Sequence, residues 1–224
     1  MFRTYRSTAR VCACLAALTV QIAMTAGAQS TSSELTPPLM DRQKEMALAL
    51  SACPPTVAGK AAVYLLDKGG YVKVRDSRNG FTAIVQHSMP TSQEPQCMDT
   101  EGTRTLLPRM LQVARLRAEG KRPDEVKRTV AEDLAKGLLQ PASRTGVDYM
   151  LSTENMVPDE KGGVTHFPPH VMFYAPYLTN ADLGSGGQSA GGPAFVAGEG
   201  TPYALIIVPV GVHGGPAHSS AAAR

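Results

Sequence analysis

The stretch AAVYLLDKGGYVKVRDSRNGFTAIVQ, residues 61–86, decides the fold class. Ala61–Leu66 is a short apolar run, Asp67–Gly70 is a turn sequence, and Tyr71–Arg75 alternates apolar and charged residues with a period of two. Asp76–Gly80 ends in Asn-Gly, the pair that most readily adopts the positive φ angles of a tight hairpin, and Phe81–Gln86 supplies a third strand. Read in order, these segments predict an antiparallel three-stranded meander.

Outward from that core, helical signals flank the strands. On the N-terminal side, Thr36-Pro37-Pro38 reads as a helix start with Thr36 as cap, and Cys53-Pro54-Pro55 stops the helix after Ala52. On the C-terminal side, Leu106, Leu107, Met110, Leu111, Ala114 and Ala118 recur at three-to-four spacing before Gly120. Thr105 as cap would place Pro108 in the first turn, where its missing N–H costs nothing. A further helix starts at Pro123 and turns Val126, Val130, Leu134 and Leu138 to one side. Beyond Pro141 the helical period disappears, leaving Val147–Leu151, Val171–Tyr174 and Tyr203–Val212 as strand candidates. Residues 184–200 are glycine-rich and are expected to form a mobile loop, and the Ala/Ser/Gly-rich tail 214–224 is expected to be disordered. The prediction is a single α+β domain over residues 39–213, with five or six antiparallel strands and two to three helices on one face.

Residues 1–28 read as a secretory signal peptide. Arg3, Arg6 and Arg10 precede an apolar stretch from Val11 to Ala26, which closes on Ala26-Gly27-Ala28 with cleavage expected between Ala28 and Gln29. That stretch is shorter than the roughly 20 residues a membrane span needs. Residues 29–38 would be a flexible linker. The leader carries three of the 22 basic residues and none of the 19 acidic ones, so 22 − 3 = 19 bases balance 19 acids in the remainder. A nucleic-acid partner is therefore not expected, since such a protein needs a basic excess. No later apolar run reaches the length of a membrane span. A periplasmic or secreted protein is predicted. Export would leave Cys53 and Cys97 as a pair in an oxidising compartment, where they are expected to form a disulfide.

Three blocks carry a resemblance: Ala62 to Thr82, Cys97 to Gly102, and Phe167 to Asn180. The chain resembles a group of exported bacterial proteins of unknown function over most of residues 40–184. The resemblance implies export and a single domain, and it carries over no functional residue.

For chemistry, Gly187-Gln-Ser-Ala-Gly191 matches G-x-S-x-G, with Glu199 and His213 following in triad order. The motif needs a strand before Ser189 and a helix after it, and glycine-rich flanks supply neither. His166-Phe-Pro-Pro-His170 cannot work as a helical metal pair, because Pro168 and Pro169 break the helix. Asp99 and Glu101 lack the spaced oxygen ligands of a calcium loop. No cofactor is predicted.

The better candidate runs from His170 to Asp182. On a strand, His170, Met172 and Tyr174 share a face, and Tyr177, Asn180 and Asp182 follow closely. His170, Tyr174, Tyr177, Asn180 and Asp182 are the predicted ligand-binding residues; the alternative is a buried strand followed by an Asx turn. The expectation is a non-catalytic protein that binds a small molecule or a cell-envelope partner. The alternative is a small periplasmic hydrolase using His170 or His213 as base.

Overall fold

A computed structural model describes residues 36–159, 161–187 and 193–210. The leader, Ser189, His213 and the tail lie outside the described residues.

The three strands of the opening stretch are present as β1 (Ala62–Asp67), β2 (Gly70–Arg75) and β3 (Thr82–Gln86). They are not a meander. β1 and β2 form the expected antiparallel hairpin, but β3 pairs with the other edge of β1, and it does so in parallel. Val63 and Leu65 of β1 are almost completely buried, whereas β2 carries Lys73 and Arg75. An apolar strand wants neighbours on both edges, and a charged one suits the sheet's rim. The connection from 76 to 81 therefore crosses beneath the start of β1. Asn79 Nδ2 donates to Val57 O at 2.9 Å, and the Arg78 amide donates to Lys60 O at 2.8 Å. Asn79-Gly80 thus makes a crossover bend, with Gly80 at φ 82°.

Seven further strands follow: β4 (Glu94–Met98), β5 (Val147–Met150), β6 (Met156–Pro158), β7 (Val164–His166), β8 (His170–Tyr174), β9 (Phe195–Ala197) and β10 (Leu205–Pro209). The main sheet has eight strands in the order β2-β1-β3-β4-β5-β8-β10-β9, and β6 and β7 form a separate hairpin. Every pairing is antiparallel except β1 with β3. β4 has no counterpart in the sequence reading because Pro95 argues against a central strand. β5 reaches only Cys97 and Met98, so Pro95 sits where β4 has one neighbour and its missing N–H breaks no ladder. β9 lies inside the segment expected to be a mobile loop. Phe195 and Val196 are buried there, which anchors that part of the segment to β10.

Helices cover both faces, not one. α1 (Arg42–Ser51) begins at Asp41, whose Oδ1 accepts from the Gln43 and Lys44 amides at 3.0 Å; Thr36 and Pro37 lie before the helix. A short α2 (Pro55–Ala58) follows. Ala49 of α1, with Ala52 and Cys53 just after it, packs against Ala61, Ala83, Val85 and Cys97, and the Cys53–Cys97 disulfide ties the end of the helix to β4.

On the opposite face lies α3 (Thr100–Ala118), with Leu106, Leu107 and Met110 against Ile84, Met98 and Tyr174. α3 starts five residues before the expected cap: Asp99 Oδ1 accepts from the Gly102 amide at 3.0 Å, and Pro108 falls inside the helix on its exposed side. Gly102 disguised this start, yet the packing requires it. A Cβ there would strike the Tyr174 hydroxyl and approach Met98 Cβ to 2.8 Å. α4 (Pro123–Ala135) docks on α3, where Gln112 Nε2 donates to Asp133 Oδ2.

Candidate ligand cleft

α4 packs on α3 and projects past it over the second half of the sheet. Between the two lies a cleft of about 620 Å³, within the range of small-molecule sites. Its floor is the apolar cluster Met150, Met172, Phe195 and Ile207. Val130, Ala131 and Leu134 form the roof, and Leu106, Arg109 and Met110 form the α3 wall. The alternation of β8 explains the floor: His170, Met172 and Tyr174 turn inward while Phe173 turns outward.

Of the five predicted site residues, only His170 lines this cleft. Its Nδ1 lies 2.8 Å from Pro168 O, and the Phe167 ring meets it edge-on at 4.8 Å. A carbonyl can only accept, so Nδ1 carries the proton and Nε2 keeps its lone pair. Burial pushes the His170 pKa down, partly offset by the Pro168 bond, and favours this neutral ring.

Tyr174 belongs to the core. Its hydroxyl donates to Val147 O at 2.9 Å, and its ring fills a slot between Gly102 and Gly146. Tyr177 is 60% exposed and sits at φ 67°. Asn180 holds β9 in place: Oδ1 accepts from the Val196 amide at 2.8 Å, and Nδ2 donates to Val196 O at 3.2 Å and Glu199 Oε2 at 3.0 Å. Asp182 closes a local turn on Thr179, with Oδ2 accepting from its amide at 2.9 Å and its hydroxyl at 2.7 Å. The tyrosine, asparagine and aspartate that follow His170 along the chain therefore do not converge with it.

The cleft's other polar groups come from distant segments. Gln96 Nε2 donates to Gln86 Oε1 at 2.9 Å. Glu94 accepts from Ser92 Oγ at 2.6 Å, the Ser88 amide at 2.9 Å and Ser88 Oγ at 2.8 Å. Burial nevertheless raises its pKa. Arg109 places its guanidinium carbon 5.0 Å from the centre of the Tyr203 ring, and the buried Tyr203 hydroxyl has no hydrogen-bond partner among the described residues. Lys127 stands at the rim on α4. The sequence did hold one signal for Arg109: a cation three residues after Leu106 and one before Met110 interrupts the apolar stripe of α3.

The remaining candidates have structural roles. His87 is buried, its Nδ1 against Ser92 O. His166 is exposed, with Nε2 at 2.8 Å from Thr153 O. Asp99 caps α3, while Glu101 gathers Arg104, Arg144 and the Ser143 amide. Burial alone would raise the Glu101 pKa; these donors overcome it and hold it at about 2. Among the described residues no three of His, Cys, Asp and Glu cluster as metal ligands. Nor does a hydroxyl bond to His170 there, since Ser88 Oγ serves Glu94 and Thr201 Oγ1 serves Gly198 O. The geometry suits enclosing an apolar body against a few polar groups. No family, no curated protein and no solved structure matches the chain.

Proposed function

We propose that this is an exported protein that binds one small amphipathic molecule non-covalently in the cleft between α4 and the sheet. The observation that carries the reading is the cleft itself: about 620 Å³ over an apolar floor of Met150, Met172, Phe195 and Ile207, with polar side chains such as Gln96, Arg109 and His170 around it. Concave sites of this size and lining are the usual seats of small ligands. Export is supported by the leader-like residues 1–28 and by the Cys53–Cys97 disulfide, which persists in oxidising compartments. Among the described residues no helix is long and apolar enough to cross a membrane.

The test is fluorescence titration of the exported protein with N-phenyl-1-naphthylamine, an uncharged apolar dye. Saturable binding of one dye per chain is expected. Ala131→Trp fills the roof from an exposed position, so it should weaken dye binding at least about ten-fold while melting stays within the range of ordinary surface changes. No saturable binding, or binding untouched by Ala131→Trp, would overturn the proposal.

A further inference from the structure

Resting on the cleft reading, we infer that the ligand is an organic acid: an apolar body whose carboxylate is read by Arg109. Arg109 is the group the fold leaves unanswered. It is half-buried on α3 at the inner wall of the cleft, yet no ion pair or hydrogen bond engages its guanidinium among the described residues. Its neighbours on the helix differ in this respect. Arg104 pairs with Glu101 at 2.6 Å, Arg115 pairs with Glu119 at 2.6 Å, and Arg117 donates to the carbonyls of His87 and Ser88. Among the described residues Arg109 has only the face of Tyr203.

A guanidinium stripped of part of its water and given no acceptor is costly, and a planar carboxylate matches its fork with two parallel hydrogen bonds. The aromatic face of Tyr203 holds the fork flat without neutralising it. The Tyr203 hydroxyl beside it is a buried donor with no partner among the described residues, and Lys127 adds a positive charge at the rim. Glu94, the acid that also lines the cleft, spends its oxygens on donors from Ser88 and Ser92, and against that one acid stand the two cations Arg109 and Lys127. The electrostatic bias of the cleft is thus towards an anion. A second cavity of about 400 Å³ is also lined by Arg109. The anion belongs at Arg109, with the apolar body over Met172, Ile207 and Phe195.

Dodecanoate and 1-dodecanol differ in head group alone, and each can be made to displace N-phenyl-1-naphthylamine from the full exported protein at pH 8. Dodecanoate is expected to displace the dye at a concentration at least about ten-fold lower, the size of a charge-assisted hydrogen-bonded pair. Arg109→Gln should bring acid and alcohol within about two-fold while dye affinity persists, and Arg109→Lys should keep a reduced preference for the acid. Equal displacement by acid and alcohol in the unmodified protein, or an acid preference that survives Arg109→Gln, overturns the assignment of the head group and leaves the cleft reading standing. If Arg109→Gln fails to fold, the acid-to-alcohol ratio of the unmodified protein decides. Absence of dye binding overturns the cleft reading, and this inference falls with it.

Discussion

The two halves of the main sheet use the same secondary structure for opposite ends. In β1, β3 and β4 both faces are covered, α1 on one side and α3 on the other, and only the edge strand β2 beside them leaves an apolar residue, Val72, exposed. Ala83, Ile84 and Val85 are completely buried in succession, which only a strand covered on both faces allows. In the half formed by β5, β8, β10 and β9, helical cover is withheld twice. α4 stands off one face and leaves the cleft, while α1 stops short of the other, where Phe173 is 37% exposed and Val171, Ile206 and Val208 are partly so. Close packing stabilises and fills space; a binding site needs space left unfilled. The chain divides these tasks along its sheet, with β5 as the seam.

The comparison breaks first, and by the largest amount, at Ile84. Truncation to alanine there empties volume beneath α3 in a region with no room to relax, so the expected loss is about 3 kcal/mol by urea unfolding. Dye binding in the cleft should be unchanged under conditions where the variant stays folded. A loss below about 1 kcal/mol would mean the first half is not the stable one. The Cys53–Cys97 bridge, closing 44 residues of sequence separation, reinforces that same half.

At the seam the expected change has the opposite sign. Asp148 is completely buried, and among the described residues neither of its carboxyl oxygens has a hydrogen-bond partner of good geometry, the Cys97 backbone being the nearest polar group to act on it. Desolvation raises its pKa well above the usual value; the Cys97 backbone opposes this only in part, and the nearby charge of Asp99 adds to the rise. The folded protein therefore holds a proton that the unfolded chain releases above pH ~4. Stability attached to this group is full below that pH and is lost as pH rises towards the folded pKa. Asp148→Asn removes the titration while keeping the shape. It should raise the melting temperature at pH 7, by an amount that shrinks to nothing near pH 3.5. A gain independent of pH, or a loss at pH 7, would show that the carboxyl is answered in a way the fold does not display.

The well-packed half was also the legible one. The apolar run of β1, the alternation of β2 and the buried run of β3 could each be read from residues 61–86, and the cysteine pair from the export signal. Their connection could not. Asn79-Gly80 signals a hairpin by its φ preference, but the burial of β1 on both edges sends the chain across instead. Pro95 hid β4, Gly102 hid the first turn of α3, and three-residue strands such as β9 are too short to show a period. At the cleft, His170 was visible because polar residues crowd its neighbourhood in the sequence. Arg109, Tyr203 and the roof were not, because they meet only after long-range folding, and Arg109 lies in a helix rich in ordinary surface arginines.

The smallest effect is expected at Phe173, and it sharpens the contrast with Ile84 because both residues sit on strands of one sheet. Phe173 points away from the cleft, opposite Val147 and beside Ile206, on the face that α1 does not reach. With more than a third of its surface already in water, its removal gives up less burial and opens no closed cavity. Phe173→Ser should cost under about 1 kcal/mol in urea unfolding, a third of the Ile84 change, and should leave dye binding intact. A cost near that of Ile84→Ala would mean that this face is covered in solution. Comparing unfolding at two protein concentrations would then distinguish a second copy, which makes the midpoint concentration-dependent, from cover supplied by the same chain.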